Sequence, residues 1–342
     1  MPALAVADAL RERGAEVEFA GGERAEAELV PAAGYPLHRL EVMGIDRKDP
    51  VRAARAVALA LRATGRARRL LRHVGADAVM GGGGYVAGPV GLAARTLRLP
   101  LAITEADSHL GVANRLLAPL AERVFLSFPI EGRDGGRYVV TGRPLPAGTG
   151  HADRDAARRR FGLPEQGDCV LVFGGSLGAR RLNEAAIDAF GDAAPGSVLH
   201  ACGQRDYESL RARLAELGDP AHYRLEPYVQ PFSDALAAAD LAVARAGGSV
   251  LELAAAGLPS ILVPYPHATA DHQTRNARYM ESAGAAVVVR DAELDGPRLA
   301  REVGGLLRDR GRLAAMGHAA AEAARPDAAD RIADELLRLV RS

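Results

Sequence analysis

The chain has 342 residues, 48% hydrophobic and 25% charged, which is globular composition with room for two domains of ordinary size. Basic and acidic residues balance at 43 each, so no bulk polycation argument for nucleic acid applies and any electrostatic function must come from local clustering. The two cysteines, Cys169 and Cys202, sit in apolar strand-like runs and fit a reduced compartment better than a disulfide scaffold.

No charged-then-apolar signal opens the chain, and no apolar run approaches the roughly 18–20 residues a spanning helix needs. The expectation is a cytosolic protein that can still sit on a membrane surface. Met1-Pro2 leads straight into a helix over Ala3–Arg13, with Pro2 suited to the first turn. Gly14 ends that helix, and a strand over Val17–Ala20 follows. A domain of this class normally opens with a strand and a glycine-rich turn, so both are expected upstream of an internal methionine. The alternative is a paralogue without them.

A long helix is predicted over Asp49–Ala76, carrying Arg52, Arg55, Arg62, Arg66, Arg68, Arg69 and Arg72. No acidic residue falls between Val51 and Ala76, and Val51, Val57, Leu59, Leu61, Leu70 and Leu71 supply apolar surface between the arginines. Such a helix suits an anionic membrane surface, where each basic residue contributes on the order of 1 kcal/mol. A solvated basic face packed on a sheet is the plainer alternative.

Strands are predicted at Asp77–Met80, Leu101–Thr104, Arg123–Ser127 and Tyr138–Thr141. After the first of these, Gly81, Gly82, Gly83, Gly84 and Tyr85 open a helix. Four successive glycines are costly in unfolded-chain entropy, and an anion bound by the turn is a natural reason for them. Thr104-Glu105-Ala106-Asp107-Ser108-His109 places two carboxylates and an imidazole at a strand end, a set suited to proton transfer. Capping of the next helix by Asp107 or Ser108 is the rival reading.

The Pro/Gly-rich stretch from Gly142 to Gly150 is the expected linker. The domains are then 1–145 and 146–325, with a C-terminal helix over 326–342 that can pack back on the first. Further strands are predicted at Cys169–Phe173, Ser197–Ala201, Leu241–Ala244, Ser260–Pro264 and Ala286–Val289. Strands alternating with helical patterns imply α/β architecture: two doubly wound Rossmann-like domains facing a cleft, with ligands at the carboxyl ends of the strands.

Phe173-Gly174-Gly175-Ser176-Leu177-Gly178 joins a strand to a helix over Arg181–Phe190. Glycines there let backbone N–H groups approach a phosphate, with Ser176 as a hydroxyl donor. A tight turn with packing duty alone is the alternative. Arg245-Ala246-Gly247-Gly248-Ser249-Val250-Leu251-Glu252 repeats the arrangement before a helix over Leu253–Ala256. Glu252 suits a ribose, since one carboxylate accepts from two vicinal hydroxyls, although a solvated first-turn glutamate is also consistent. Two such turns in one domain imply a nucleotide diphosphate. Gly-Lys-Ser/Thr is absent, as is GxGxxG after a first strand, which weakens ATPase and dinucleotide oxidoreductase readings. Beyond Pro264 lies a polar run in which Gln273 and Asn276 are candidates for a sugar. His267, Asp271 and His272 lack a convincing further ligand, so no metal is expected, and no other cofactor.

Taken together, GGGGYVAGP, TEADSHLGVANR, GGSLGARRLN, RAGGSVLELAAAGLP and HATADHQTRNA resemble the MurG family over the whole chain. That resemblance implies the two-Rossmann-domain (GT-B) fold and an inverting transfer of N-acetylglucosamine from its UDP form to undecaprenyl-diphosphoryl-N-acetylmuramyl-pentapeptide (lipid I), giving lipid II. It implies donor contacts at Gly175, Ser176, Ser249 and Glu252, with Val229 and Phe232 beside the uracil and His272 and Gln273 on the sugar. Gly82, Gly83, Gly84 and Tyr85 would face the acceptor diphosphate, and the basic helix would meet the cytoplasmic face of the membrane. The family's GGTxGH loop, with its catalytic histidine, has no counterpart here, which leaves Asp107 as candidate base and His109 as second candidate. Asp107 also stands where HEQN carries a sugar-contacting asparagine, and RSGAxT is shortened to RAGGSV at Ser249. Arg143 is the candidate substitute for an arginine found shortly after GNP. Rival readings are another GT-B glycolipid glycosyltransferase, a UDP-sugar 2-epimerase and a non-catalytic UDP-sugar-binding protein.

Overall fold

The computed structural model describes residues 2–43, 49–174 and 179–341. Two compact units emerge, one formed by residues 1–146 with 325–342, the other by 147–324.

The first unit runs α1 (Pro2–Glu12), β1 (Phe19–Gly21), α2 (Glu26–Ala32), β2 (Leu37–Arg39), α3 (Pro50–His73), β3 (Val79–Gly81), α4 (Gly84–Thr96), β4 (Leu101–Glu105), α5 (Val112–Leu117), β5 (Arg123–Leu126) and β6 (Tyr138–Val140). Strands β1 and β2 form a parallel pair, and β3-β4-β5-β6 form a second parallel sheet. Side chains alternate across that second sheet with period two. Leu101, Ile103, Val124 and Leu126 join Ala67, Leu71, Val90 and Ala93 from α3 and α4 on one face. Ala102 and Phe125 join Val6 of α1 on the other. Helix α1 also packs Ala7 with Val30 and Tyr35, beside Phe19 of β1 and Leu37 of β2, so it touches both sheets.

The second unit runs α6 (Arg154–Arg160), β7 (Cys169–Phe173), α7 (Arg180–Phe190), β8 (Ser197–Ala201), α8 (Gln204–Glu216), β9 (Tyr223–Glu226), α9 (Phe232–Ala238), β10 (Leu241–Ala244), α10 (Val250–Ala255), β11 (Ser260–Leu262), α11 (His272–Ser282), β12 (Ala286–Val288), α12 (Gly296–Arg308) and α13 (Arg310–Ala323). The chain then returns to the first unit as α14 (Ala328–Arg341), where Ile332 and Leu336 cover Val6 and Phe125. Arg13 pairs there with both Asp330 and Asp334, at 2.9 and 2.7 Å.

The second unit's sheet is wholly parallel, in the order β12-β11-β10-β7-β8-β9. Chain order therefore reverses between β7 and β10, and that reversal opens a crevice outside the carboxyl ends of those two strands. Every residue of β7 and β10 is buried, as continuous apolar runs in a helix-covered parallel sheet require.

Strands β7, β8 and β10 occupy the residues predicted for them. The others end within two residues of prediction, except that β2 and β9 were not expected at all. Helix α10 begins at Val250, three residues before the predicted start, so Ser249 becomes its N-cap and Glu252 lies in its first turn. Among the described residues no helix is long and apolar enough to cross a membrane.

Candidate active site

In the second unit, Ser249 and Glu252 follow β10, one of the two strands that flank the switch point, and Gly174 follows the other. Strand β7 ends at Phe173 and its neighbour β10 at Ala244, paired in register, so the turns that follow both strands leave the sheet side by side. The first turn is pinched at its base. A Cβ added to Gly174 would lie 2.4 Å from the Cβ of Ala179 and 2.9 Å from its backbone nitrogen. Only glycine fits there. Gly175 and Ser176 lie outside the described residues.

The second turn is held by two side chains, one that leaves it and one that reaches its backbone. Arg245 is buried, donates from Nη1 to the Val263 carbonyl at 3.1 Å and pairs with Asp291 at 2.6 Å. Asn276 is fully buried and donates from Nδ2 to the Ala246 carbonyl at 3.1 Å. This corrects one expectation: Asn276 is not presented to a sugar but straps the turn to α11. Ser249 takes helical dihedrals (φ −62°, ψ −13°) and its hydroxyl caps no amide of its own helix. Val229 is buried, while Phe232 sets its ring against Phe173 at 5.0 Å, edge to face.

Helix α11 is entered through an unusual turn. Ala270 and Asp271 both take φ of +52°, a left-handed conformation that costs a non-glycine residue free energy and concentrates at functional sites. Asp271 accepts from the Thr274 hydroxyl at 2.6 Å. The Thr269 carbonyl accepts from His272 Nδ1 at 2.9 Å, which places the proton of the neutral ring on Nδ1. Gln273 Oε1 accepts from the Tyr265 backbone N–H at 2.9 Å, so its NH₂ end is the one left to donate to a ligand.

In the first unit, Gly83 and Gly84 have φ of +87° and +74°, and a Cβ on either would meet nothing within 4 Å. Backbone conformation, not crowding, is what requires glycine at these two positions. The turn delivers exposed Gly82 and Tyr85 to the start of α4, where no side chain caps the helix. The sequence offered no reason to expect Arg24 here. Its guanidinium lies 5.5 Å above the ring of Tyr85, close enough for a cation–π contact.

Of the acidic pair at the end of β4, Glu105 is buried and structural. It accepts from the Gly111 N–H at 2.8 Å, from Asn114 Nδ2 at 2.8 Å and from the Asp107 N–H at 3.2 Å. It is therefore the hub that shapes the segment 105–111, not a second proton carrier. Asp107 and His109 are half-buried on that segment, a carboxylate oxygen and a ring nitrogen lying within 4.8 Å of each other. Arg143 belongs to the first unit and follows Gly142, where a Cβ would lie 2.6 Å from the Cβ of Arg325.

Helix α3 buries Ala56, Ala63, Ala67 and Leu71 and turns Arg55, Arg62, Arg66, Arg68, Arg69 and Arg72 outward. The side chain of Arg52 lies outside the described residues. Leu71 belongs to the core, but Val57 and Leu61 are 50% and 69% exposed among the arginines. Exposed apolar residues on α4 and α5 were not anticipated: Leu92, Val112 and Leu116. Apolar residues at helical spacing read as core until the sheet face they cover is known.

A model of the glycosyltransferase family 28 N-terminal domain matches residues 1–126, and one of the C-terminal domain matches residues 169–332. A protein of Moorella thermoacetica, named UDP-N-acetylglucosamine–N-acetylmuramyl-(pentapeptide) pyrophosphoryl-undecaprenol N-acetylglucosamine transferase, is 44% identical over 100% of this chain and 96% of its own length. A protein of the same name from Methylococcus capsulatus is 44% identical over 97% of this chain and 93% of its own. The crystal structure of Acinetobacter baumannii MurG superposes with a TM-score of 0.77 at 30% identity, covering 98% of this chain and 95% of that one.

Proposed function

The chain belongs to glycosyltransferase family 28, within it to the MurG family, and from that membership we infer that it transfers N-acetylglucosamine from UDP-N-acetylglucosamine to lipid I. The observation that carries this reading is the pair of glycine turns on adjacent strands β7 and β10 at the switch point of the second sheet. Glycine-rich sequence between strand and helix at both turns suits a diphosphate, and Glu252, in the first turn of α10, suits the ribose hydroxyls. Gln273, with its carbonyl already engaged, offers its NH₂ to a sugar oxygen, and His272 stands beside it on α11. Phe232, half-buried against Phe173, supplies apolar surface for the uracil, with Val229 three residues before it.

The acceptor's sugar 4-hydroxyl attacks the anomeric carbon from the face opposite UDP. The new C–O bond forms as the bond to the β-phosphate oxygen breaks, and the configuration inverts. Asp107 takes the hydroxyl proton, with His109 beside it, a contribution of typically 10²–10⁴-fold. The departing UDP keeps the bonding pair, and the turn amides meet its charge. Gly82, Gly83, Gly84 and Tyr85 meet the acceptor diphosphate. The exposed arginines of α3, with Val57 and Leu61 between them, bring the protein to the anionic cytoplasmic face of the membrane as a peripheral protein.

UDP release from UDP-N-acetylglucosamine, followed with and without a lipid I analogue, tests the reading. Release that depends on the acceptor is expected. Equal release without acceptor, or formation of the C2-epimeric sugar, would overturn it.

A further inference from the structure

Strands β10, β11 and β12 lie next to one another on one side of the switch point, and a single arginine crosses their carboxyl ends. Arg245 directly follows β10 and is buried. Its Nη1 donates to the Val263 carbonyl, just past β11, at 3.1 Å. The same nitrogen lies 2.6 Å from a carboxylate oxygen of Asp291, which opens a 3₁₀ turn beyond β12. The guanidinium also lies 5.7 Å from the ring centre of Tyr265. The turn that carries Asp291 is itself tied to α7, where Arg181 donates to the Ala292 carbonyl at 3.0 Å and to the Leu294 carbonyl at 3.2 Å.

This ion pair is shielded from water, with 8% of the Arg245 side chain and 16% of the Asp291 side chain exposed. Charges so enclosed depend on each other, because removing one leaves the other desolvated and uncompensated. The pair therefore fixes where Arg245 lies. Arg245 in turn holds the segment 263–265, by a main-chain hydrogen bond at one end and a ring contact at the other. What that segment supports is a side chain offered to a ligand. The Tyr265 N–H donates to Gln273 Oε1 at 2.9 Å, which leaves the NH₂ end of Gln273 as the end that can donate outward. A continuous series of contacts thus runs from Asp291 through Arg245 and Tyr265 to Gln273.

We propose that Asp291 is a positioning residue for the donor sugar, acting on Gln273 through Arg245 and the segment 263–265. This rests on the reading of Gln273 as a sugar contact. Asp291 itself touches no ligand. It keeps Arg245 across the strand ends, and Arg245 keeps Tyr265 where its N–H aims the Gln273 amide. An amide aimed before the ligand arrives loses less rotamer freedom on binding it. With the pair broken, the sugar is held less well while the nucleotide is held as before.

Dissociation constants of UDP and of UDP-N-acetylglucosamine, measured by calorimetry, separate the sugar from the nucleotide, with thermal unfolding of each variant alongside. In Asp291→Asn the affinity for UDP-N-acetylglucosamine relative to UDP should fall about fivefold, as for a weakened hydrogen bond, and Asp291→Glu should recover part of it. Arg245→Lys, which cannot span both the carbonyl and the carboxylate, gives a second route to the same fall. Gln273→Ala should lower the ratio in the same way, and adding Asp291→Asn to it should lower the ratio no further, because both act at one amide. An unchanged ratio in Asp291→Asn, whatever its melting temperature, would overturn the proposal. So would falls that add in the double variant, or equal losses for the two ligands. A Gln273→Ala protein with the wild-type ratio would instead remove the sugar contact on which the proposal rests.

Discussion

Asn183 commits its amide to Asp206: Nδ2 donates to that carboxylate at 3.0 Å and to the Cys202 carbonyl at 2.9 Å, which turns Oδ1 toward His200. The consequence is a fixed tautomer. His200 Nε2 donates to Asn183 Oδ1 at 3.1 Å, and Nδ1 accepts from the Tyr223 hydroxyl at 2.7 Å. The ring is fully buried and both nitrogens are occupied by a neutral pattern, so burial lowers its pKa from 6.5 to about 3.

A pH dependence follows from that shift. Above pH 6.5 neither the folded nor the unfolded chain protonates this ring. As pH falls from 6.5 toward 3, only the unfolded chain takes up the proton, and stability falls by up to about 1.4 kcal/mol per unit from this group. Urea unfolding at pH 7.5 and pH 5 should show less of that loss in His200→Gln than in the wild type. Equal losses in the two proteins would mean that the ring is not held neutral.

Gly174→Ala should damage the donor side without touching any ligand-binding side chain. The added methyl falls 2.4 Å from the Cβ of Ala179, and the obstruction includes backbone. Overpacking of this kind costs typically ~1–3 kcal/mol, here with the turn forced open. Affinity for UDP should fall at least tenfold, read by calorimetry at a temperature where the variant stays folded. Unchanged affinity would show that the pinch is incidental.

Asn276→Ala separates positioning from contact. The fully buried amide reaches only the turn carbonyl of Ala246, and its removal leaves that group unpaired at a cost of about 1–3 kcal/mol. The Michaelis constant for UDP-N-acetylglucosamine should rise together with a loss of thermal stability. Gln273→Ala, at a half-exposed position, should raise that constant with little change in melting temperature. Identical behaviour of the two variants would erase the distinction between them.

Membrane binding should depend on α3. Replacing Arg62 and Arg66 with glutamine removes two exposed charges, about 1 kcal/mol each near an anionic surface, or roughly 30-fold in partitioning. Sedimentation with phosphatidylglycerol vesicles measures this, and the effect should shrink as salt rises. Leu61→Glu should also weaken binding. If neither variant changes the bound fraction, the arginine face is only a solvated surface.

The strands that carry the donor turns were legible because they are central. Strands β7 and β10 are buried on both faces and read as unbroken apolar runs, CVLVF and LAVA. Strands β2 and β9 are edges, each paired on one side only, and their sequences LHR and YRLE mix polar with apolar residues. One-sided pairing leaves no local apolar signal for so short a strand. The glycine turns were likewise visible, because strand, glycines and helix follow one another in the chain. The roles of Glu105, Asn276 and Asp206 were not. Each is set by a partner several to tens of residues away, and burial alone separates a structural carboxylate or amide from one offered to a ligand. Arg24 over Tyr85 is of the same kind, joining the segment before α2 to the start of α4, 61 residues on in the sequence.

The central claim is transfer, and the product of the reaction tests it most directly. The protein is incubated with UDP-N-acetylglucosamine and a lipid I analogue, and the linkage of any new disaccharide is determined by NMR. A β-linked N-acetylglucosamine on the 4-oxygen of the muramyl sugar, inverted from the α-linked donor, is the result expected. An α-linked product, or free N-acetylglucosamine with the acceptor unchanged, would contradict the account.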